Sequence, residues 1–367
     1  MKFFLYLIMV CFSLFSCKNE KKLSELTEIT VDIEQNGSLL LSEIVDKLEI
    51  IKLETSDKSL INPDIITRII ESDNEVIITQ TNKILVFNKD GRFIRNIGSR
   101  GQGPGEFNYI QNATFDKENK HLYVISGRKI ICYELNGKLL KESRPILSNL
   151  PYVLFDINYY NEELLLIVEQ MGKDEQKGSF KHSLIYRMSD NFNIFDSCSI
   201  RKVFLGDGSI IIHWGFKDFI FNGRKSVFLY YCDIKNEKDD SPKRAFCDTL
   251  YRFEENLLLP ELKLNFINGG KNKNIELFNL YRSSRFIFAY YSDKINKNYY
   301  SYCFDIKTGK GYNLKGGYTD DINKIEGKIQ IRPFVSDTEK FYFYHTHMKP
   351  DDIEEPNPTL YIGTLKK

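Results

Sequence analysis

The stretch ILVFNKDG at residues 84–91 decides the fold, because its pattern returns five more times along the chain. An apolar run ends in a bulky residue, a polar turn follows, and a second short apolar run comes next. The clearest second copy is IICYELNG at residues 130–137. The intervals between the aromatic residues of the six copies, 46 to 65 residues, are close to the length of a β-propeller blade with variable loops. These aromatic residues are Phe87, Tyr133, Tyr186, Tyr251, Phe304 and Tyr361.

Two further apolar runs precede each copy, and in the first repeat they cover residues 64–71 and 75–80. The runs are rich in Ile, Val, Tyr and Phe and are separated by turns of Asn, Asp, Gly and Lys, which is typical of antiparallel meanders. After the first 16 residues, no long stretch has a convincing helical spacing of apolar residues, so we expect few and short helices. Three visible strands and a less regular edge strand make a blade. The sequence therefore predicts an all-β, six-bladed β-propeller of four-stranded antiparallel blades.

Closure of the ring requires a blade built from both chain ends, because an open sheet edge promotes aggregation. Residues 28–33 alternate like a strand before the first repeat, and residues 360–365 form a strand pattern near the end of the chain. We therefore expect residues 28–33 to lie beside the last blade. The alternative is that residues 24–43 form a linker.

The N-terminus has the pattern of a bacterial lipoprotein signal. Lys2 precedes the apolar run Phe3–Phe15, which is too short to span about 30 Å of hydrocarbon as a helix. Ser16 and Cys17 then match a lipobox, in which the small residue precedes the cleavage site and the thiol accepts diacylglycerol. An ordinary signal peptide with an incidental cysteine is the alternative. The predicted organisation is a signal peptide at 1–16, a lipidated tether at 17–23 and a propeller at 24–367.

Composition and charge agree with a secreted globular protein. Hydrophobic residues make up 42% of the chain and aromatic residues 14%, enough for a large core. Lys and Arg total 51 against 50 Asp and Glu, so no broad electrostatic footprint favours nucleic acid. We predict a lipid anchor at the outer membrane, facing the periplasm or the cell surface, with no nucleic-acid partner and no cofactor.

Five cysteines remain after the leader and Cys17 are set aside, so at least one stays unpaired within a monomer. The chain has no CxxC motif and no Cys/His spacing of a zinc site, and we expect no metal. Cys232 and Cys247 flank a polar hairpin and are the candidates for a disulfide in an oxidising compartment. Because strand register cannot be derived from the sequence, the alternative is that both cysteines stay reduced.

The glycine-rich loop GSRGQGPGEF at residues 98–107 contains two charged side chains that are candidates for ligand binding, Arg100 and Glu106. Its glycines and proline are typical of tight turns with positive φ. No Lys-Ser/Thr pair and no helix follow the glycines, which excludes a phosphate-binding loop. The alternative role is structural, with Glu106 capping backbone amides and Arg100 pairing with a neighbouring blade.

The chain resembles the six-bladed β-propeller lipoproteins of Bacteroidota, a family related to NHL-repeat propellers. The lipobox at Cys17, the segment Leu48–Thr55 with its LET motif, and the stretch Ile84–Phe107 carry the resemblance. The loop at 98–107 is similar to the GxGPGEF signature of NHL-type propellers. The resemblance implies a propeller fold and an envelope location, and it implies no catalytic residues.

Two classes of function remain open. The first is a non-catalytic binding or scaffold propeller, whose axial face receives a glycan, a peptide or a partner protein. The candidate ligand-binding residues are Arg100 and Glu106, together with Trp214 for stacking and with His345 and His347, which share one face of a predicted strand. The second is a metal-dependent lyase or hydrolase in the central pocket, for which the sequence identifies no complete ligand set. Core packing of Trp214 and an exposed histidine pair are the structural alternatives.

Overall fold

A computed structural model describes residues 26–147, 149–204, 219–231, 248–268, 275–293, 297–347 and 355–367. The predictions for the signal peptide and for Cys17 lie outside these residues, as do those for Trp214, Cys232 and Cys247. Within the part of the chain that the structure describes, none of the helices has the length and apolar character needed to cross a membrane.

The first described segment precedes the first blade. It forms β1 (Thr27–Asp32), the four-residue helix α1 (Leu41–Ile44) and β2 (Val45–Lys52), and a single 3-10 turn at Pro63–Ile65 precedes the first blade.

The first three blades are antiparallel sheets of consecutive strands. Blade one contains β3 (Ile66–Glu71), β4 (Glu75–Gln80), β5 (Lys83–Asn88) and β6 (Phe93–Asn96). The connection to the next blade forms β7 (Ser99–Arg100) and β8 (Glu106–Phe107). Blade two contains β9 (Asn112–Asp116), β10 (His121–Ser126), β11 (Lys129–Glu134) and β12 (Leu139–Ser143). Blade three contains β13 (Tyr152–Tyr160), β14 (Glu163–Asp174), β15 (Gly178–Ser189) and β16 (Ile194–Phe204).

The last three blades complete the ring. Blade four contains β17 (Ile220–Asn222), β18 (Val227–Leu229), β19 (Thr249–Glu254) and β20 (Leu257–Ile267). Blade five contains β21 (Ile275–Arg282), β22 (Phe286–Asp293), β23 (Asn298–Asp305) and β24 (Lys310–Lys315). After the small ladder of β25 (Tyr318–Thr319) and β26 (Lys328–Ile329), blade six contains β27 (Arg332–Phe334), β28 (Asp337–His345), β29 (Thr359–Leu365) and, as its outer strand, β2. The prediction of a six-bladed propeller is confirmed.

The second and third strands of blade one show how the core is built. Five consecutive residues of β4 are buried, and residues 84–87 of β5 are fully buried. Both faces of a blade pack against neighbouring blades, so these strands read as continuous apolar runs and do not alternate with polar residues. Full burial of one Val, Ile, Leu or Phe side chain contributes about 1.5–3 kcal/mol, and this packing of blade on blade stabilises the ring.

The repeated aromatic residues lie in the same strand of their blades. They belong to the third strand of their blades, namely β5, β11, β15, β19, β23 and β29. The turn that follows in blade one is closed by Asn88, whose carbonyl accepts from Gly91 N at 3.0 Å and whose side chain accepts from Arg92 N at 2.8 Å. Gly91 has φ +86°, and a Cβ there would lie 1.9 Å from the Lys52 carbonyl oxygen. Only glycine therefore fits this turn.

The ring is closed by β2 and not by the strand at residues 28–33, so that part of the prediction is wrong. β2 pairs antiparallel with β29 in blade six, whereas β1 pairs parallel with β20 and becomes a fifth strand of blade four. β2 is the strand that directly precedes β3, and elements that are consecutive in the chain usually lie side by side. β1 lies farther upstream and reaches two blades back. Between them the chain bridges to blade five at Asn36–Asn313, so the linker interpretation is also wrong for Thr27–Asp32.

Hydrogen bonds and ion pairs stabilise the junction between blades six and one. Glu54, in the LET motif, donates its backbone N–H to the Gly91 carbonyl at 2.8 Å. Glu71 at the end of β3 accepts hydrogen bonds from Lys89 of its own blade and from Lys340 of blade six, the latter at 2.6 Å. Burial by itself would raise the pKa of Glu71, but the hydrogen bonds from the two lysines outweigh it and lower the pKa.

A buried polar network fills the axis between blades one and four. Asp156 on β13 is fully buried and accepts from Arg68 Nη2 on β3 and from Asn112 Nδ2 on β9, both at 2.8 Å. Its second oxygen accepts from the backbone N–H groups of Phe219 at 2.9 Å and Ile220 at 3.2 Å. One carboxylate thus ties four inner strands together at the centre of the disc.

Candidate functional site

A cleft of about 440 Å³ opens on the upper face of the disc, which we define as the face with the turns between second and third strands and the connections between blades. It lies above β27, an inner strand of only three residues that contains Pro333. Proline lacks the N–H group of a ladder hydrogen bond and favours a short or interrupted strand. We call this cleft the axial cleft and define it by six residues of blades five, six and one: Asp64, Phe278, Tyr290, Tyr299, Arg332 and Tyr344.

Three aromatic rings of blade five form one wall of the axial cleft. The ring of Tyr299 is stacked on that of Tyr290, with centroids 6.0 Å apart, and on that of Phe278, with centroids 6.1 Å apart. Phe278 is the extra residue of a bulge in β21, which turns its side chain out of the ladder. Tyr299 is 52% exposed, so the supported cluster offers an open aromatic surface to solvent.

Polar groups surround this aromatic wall. Gln330 Nε2 donates to the Tyr290 hydroxyl at 3.2 Å, and burial raises the pKa of Tyr290 against the opposing effect of that hydrogen bond. The Arg332 guanidinium lies over the Tyr344 ring at 5.5 Å from the centroid. The exposed Asp64 carboxylate completes the rim. The axial cleft therefore combines apolar ring faces with hydrogen-bonding groups, one of them negatively and one positively charged. This is the usual composition of a small-molecule site.

We call the first-strand residue that pairs with the fifth residue of the second strand the axial position of a blade. Asn279, on the floor of the cleft, occupies this position in blade five. It pairs with Tyr290, the fifth residue of β22, as Arg68 pairs with Thr79, the fifth residue of β4. Asp156 occupies the same position in blade three. In blades one and three this position is used by the Arg68–Asp156 ion pair. In blade five it is an amide that faces the axial cleft.

The comparison with known families concerns almost the whole propeller. Residues 26–361 match DUF4934, a domain of unknown function. The chain belongs to the DUF4934 family. None of the curated proteins matches it.

Solved structures support the fold of this DUF4934 member. The crystal structure of a "Putative exported protein" from Bacteroides fragilis is similar with a TM-score of 0.61 and 17% sequence identity, over 93% of this chain and 100% of that chain. A protein of unknown function from Bacteroides caccae is similar with a TM-score of 0.38 and 10% identity, over 74% of this chain and 82% of that one. At 17% identity the first similarity shows the fold alone. The TM-score of the second is too low to support a conclusion.

The glycine-rich loop of the DUF4934 member is built around Glu106. Glu106 accepts a hydrogen bond from Gly103 N at 2.8 Å, and Gly101 N donates to the Phe107 carbonyl at 3.0 Å. A Cβ at Gly101 would lie 2.0 Å from a Glu106 carboxylate oxygen, so a larger residue there would displace this carboxylate. The structural role of Glu106 is thereby established. Arg100 is exposed, and no contact of its guanidinium with a neighbouring blade is seen among the described residues.

The two predicted histidines lie together at the end of β28 and in the turn after it. The ring centroids of His345 and His347 are 4.5 Å apart, and His347 Nε2 is 3.2 Å from the Tyr361 hydroxyl. Burial and the neighbouring His347 lower the pKa of His345. In the described ranges, no three His, Cys, Asp or Glu side chains are grouped so that they could hold a metal ion.

Among the described residues, Glu106 and the two histidines lie in different parts of the disc. Glu106 lines a different upper-face cleft, of about 580 Å³, which lies between blades two and three beside Arg128 and Tyr152. That cleft contains neither histidine. A ligand contact at Arg100, Glu106, Trp214, His345 or His347 stays a prediction.

Sequence reasoning missed the aromatic wall of the axial cleft. Its signal was present in two tandem tyrosine pairs, Tyr290-Tyr291 and Tyr299-Tyr300. Adjacent residues of a strand point to opposite faces, and here Tyr291 and Tyr300 are buried in the core while their partners face the cleft. An aromatic residue at both of two adjacent strand positions therefore indicates a second aromatic surface besides the core.

Proposed function

We propose that the protein is an exported, non-catalytic binding propeller, held at the outer membrane by a lipid on Cys17, that takes its ligand in the axial cleft. The single observation that carries the proposal is the open aromatic wall of Phe278, Tyr290 and Tyr299. Ligand sites in all-β scaffolds lie on loops and strand ends that vary without disturbing the core. A glycan, a peptide or a partner protein is the ligand class expected at such a face.

The proposed location is supported by the N-terminal sequence. The apolar run Phe3–Phe15 ends at the lipobox residues Ser16 and Cys17. The similar Bacteroides fragilis protein is described as exported, in agreement with this proposal. Membrane attachment by lipid requires more than one acyl chain, since a single chain binds only marginally.

A relationship to NHL-type propellers is also part of the proposal. Its support is the loop at 98–107, in which Glu106 caps Gly103 N and holds the glycine-rich turn. The metal-dependent lyase or hydrolase stays an alternative prediction.

A ligand screen followed by two variants tests the proposed site. Purified mature protein is screened by thermal shift against neutral and acidic oligosaccharides and against peptides, and each hit is titrated by calorimetry. Tyr299→Ala should weaken a true ligand about tenfold, since aromatic contacts contribute about 0.5–1.5 kcal/mol beyond area burial. Tyr109→Ala is the matched control, because Tyr109 is similarly exposed, at 46%, and does not line the axial cleft. Hits that bind both variants equally well would place the ligand elsewhere and refute the axial site.

A further inference from the structure

A narrow recess lies beneath the axial cleft, between blades five and six. Its volume is about 20 Å³, and it shares Asn279, Tyr290 and Arg332 with the cleft above it. A space of this size holds one water molecule or one hydroxyl group. Ser301 also lines the recess, directly opposite Tyr290 in the ladder of β22 and β23.

Two buried polar atoms in this recess have no hydrogen-bond partner within the described part of the chain. They are Oδ1 of Asn279 and the hydroxyl of Tyr281, and each residue is only 4% exposed. Burial raises the pKa of Tyr281 well above its usual value, so its hydroxyl keeps its proton. The two unpartnered groups are thus one amide acceptor and one hydroxyl that can donate or accept. Buried polar groups are nearly always paired in folded proteins, so this pair indicates a polar group that enters from the cleft.

The aromatic wall above the recess defines the other half of the ligand. Tyr299 is nearly parallel to Tyr290, with an interplanar angle of 13°, and Tyr290 lines both the cleft and the recess. A ligand on this wall therefore has an apolar face against the rings and a hydroxyl-sized polar group that points down toward Asn279.

A sugar ring has this combination of groups. Its C–H face packs on an aromatic ring, and its hydroxyl groups both donate and accept hydrogen bonds. A peptide amide is a poorer fit, because its N–H is carried on a planar backbone unit that the 20 Å³ recess does not admit. The charged residues that line the cleft are one carboxylate, of Asp64, and one guanidinium, of Arg332, so no net ligand charge is favoured.

We infer that the ligand of the axial cleft is a neutral carbohydrate, whose sugar ring lies on Tyr299 and whose hydroxyl group enters the recess and donates to Asn279 Oδ1. This inference rests on the function proposed above and gives that site its ligand class. Gln330 and Arg332 at the rim hydrogen-bond the remaining hydroxyl groups, since the guanidinium donates to hydroxyl oxygens and the amide both donates and accepts.

The inference is tested with a glycan array and a set of monodeoxy sugars. The full mature protein is applied to an array of neutral and acidic oligosaccharides, and the neutral glycan that binds best is titrated as its monodeoxy analogues. Removal of one particular hydroxyl should lower the affinity of the unaltered protein about tenfold, whereas removal of the exposed hydroxyls should change it little. Asn279→Leu should abolish this difference, so that the variant binds the parent sugar and that deoxy analogue equally.

The double comparison separates recognition from folding. Asn279→Leu removes an unpaired buried amide and should keep the melting temperature, and the ratio of two sugar affinities within one variant does not depend on its stability. Tyr299→Ala should weaken the parent sugar and every deoxy analogue by the same factor. A deoxy penalty that persists in Asn279→Leu overturns the assignment of the recess.

The results also distinguish this inference from the proposed function. If neutral glycans do not bind but a peptide or an acidic glycan binds in a way that Tyr299→Ala weakens, the axial cleft is a ligand site and the neutral-carbohydrate inference is wrong. If glycans bind equally to Tyr299→Ala and Tyr109→Ala, both the site and the inference fail.

Discussion

Removal of the Asp156 carboxylate should destabilise the propeller more than any surface charge change. Asp156 accepts five hydrogen bonds, from Arg68, Asn112 and the backbone N–H groups of Ile157, Phe219 and Ile220. In Asp156→Ala, the buried Arg68 guanidinium keeps the Ala113 and Ile157 carbonyls and loses its carboxylate. Breaking a buried ion pair on one side costs about 3–5 kcal/mol. Since domains have unfolding free energies of about 5–15 kcal/mol, this is a large fraction of the total.

Urea unfolding followed by far-UV circular dichroism measures this loss. The matched control is Asp196→Ala on β16, whose contact with Arg187 is 3.6 Å long and whose side chain is 40% exposed, so its loss should cost less than about 1 kcal/mol. The double variant Arg68→Met with Asp156→Leu should recover the part of the loss that comes from the unpaired Arg68 guanidinium, because both buried charges are removed together. The part that comes from the amide and backbone N–H donors to Asp156 should remain. If Asp156→Ala unfolds at the same urea concentration as Asp196→Ala, the axial network does not hold the blades together.

Three other predictions concern the ring junction, the N-terminal strand and the anchor. Because the pKa of Glu71 is lowered in the folded protein, its ion pairs with Lys89 and Lys340 stabilise the fold above the ordinary value of 4.5 and lose this effect as the pH falls below it. Glu71→Gln should therefore flatten the fall of the melting temperature below pH 4.5, and an unchanged slope would contradict this role of Glu71. Deletion of residues 26–33 removes the buried Ile29, Val31 and Ile33 and uncovers the edge of β20, so size-exclusion chromatography should show a folded propeller that aggregates with concentration, and a truncated chain that stays monomeric would show that β1 protects no edge. Cys17→Ala should move the protein from the membrane to the soluble fraction after cell lysis, and an intact mass of an unlipidated mature chain would refute the anchor.

The extent to which the candidate site was predictable differs between its parts. The structural role of Glu106 followed from the local chemistry of a glycine-rich turn, and the structure confirms it at Gly103 N. The axial cleft was not predicted, because its walls come from Asp64 in the first blade connection, Tyr299 in blade five and Tyr344 in blade six. The tandem tyrosines indicated one wall of the cleft. The residues that face this wall could not be predicted, because they depend on how blades five, six and one meet. The proposed disulfide between Cys232 and Cys247 stays a prediction.

The sequence by itself determined the number of blades, the strands of their cores and the turn glycines, because these depend on residues close together in the chain. A run such as residues 84–87 is apolar throughout because both of its faces are covered, and Gly91 follows from the turn that Asn88 closes. Only the tertiary structure decided that β1 joins blade four while β2 closes the ring. Alternation of buried residues in Thr27–Asp32 fits the edge of any blade, so its partner was decided by the path of the chain around the disc. The axial position likewise became an ion pair in blades one and three and an unpaired amide above a recess in blade five, since only the closed ring places these inner strands around one axis.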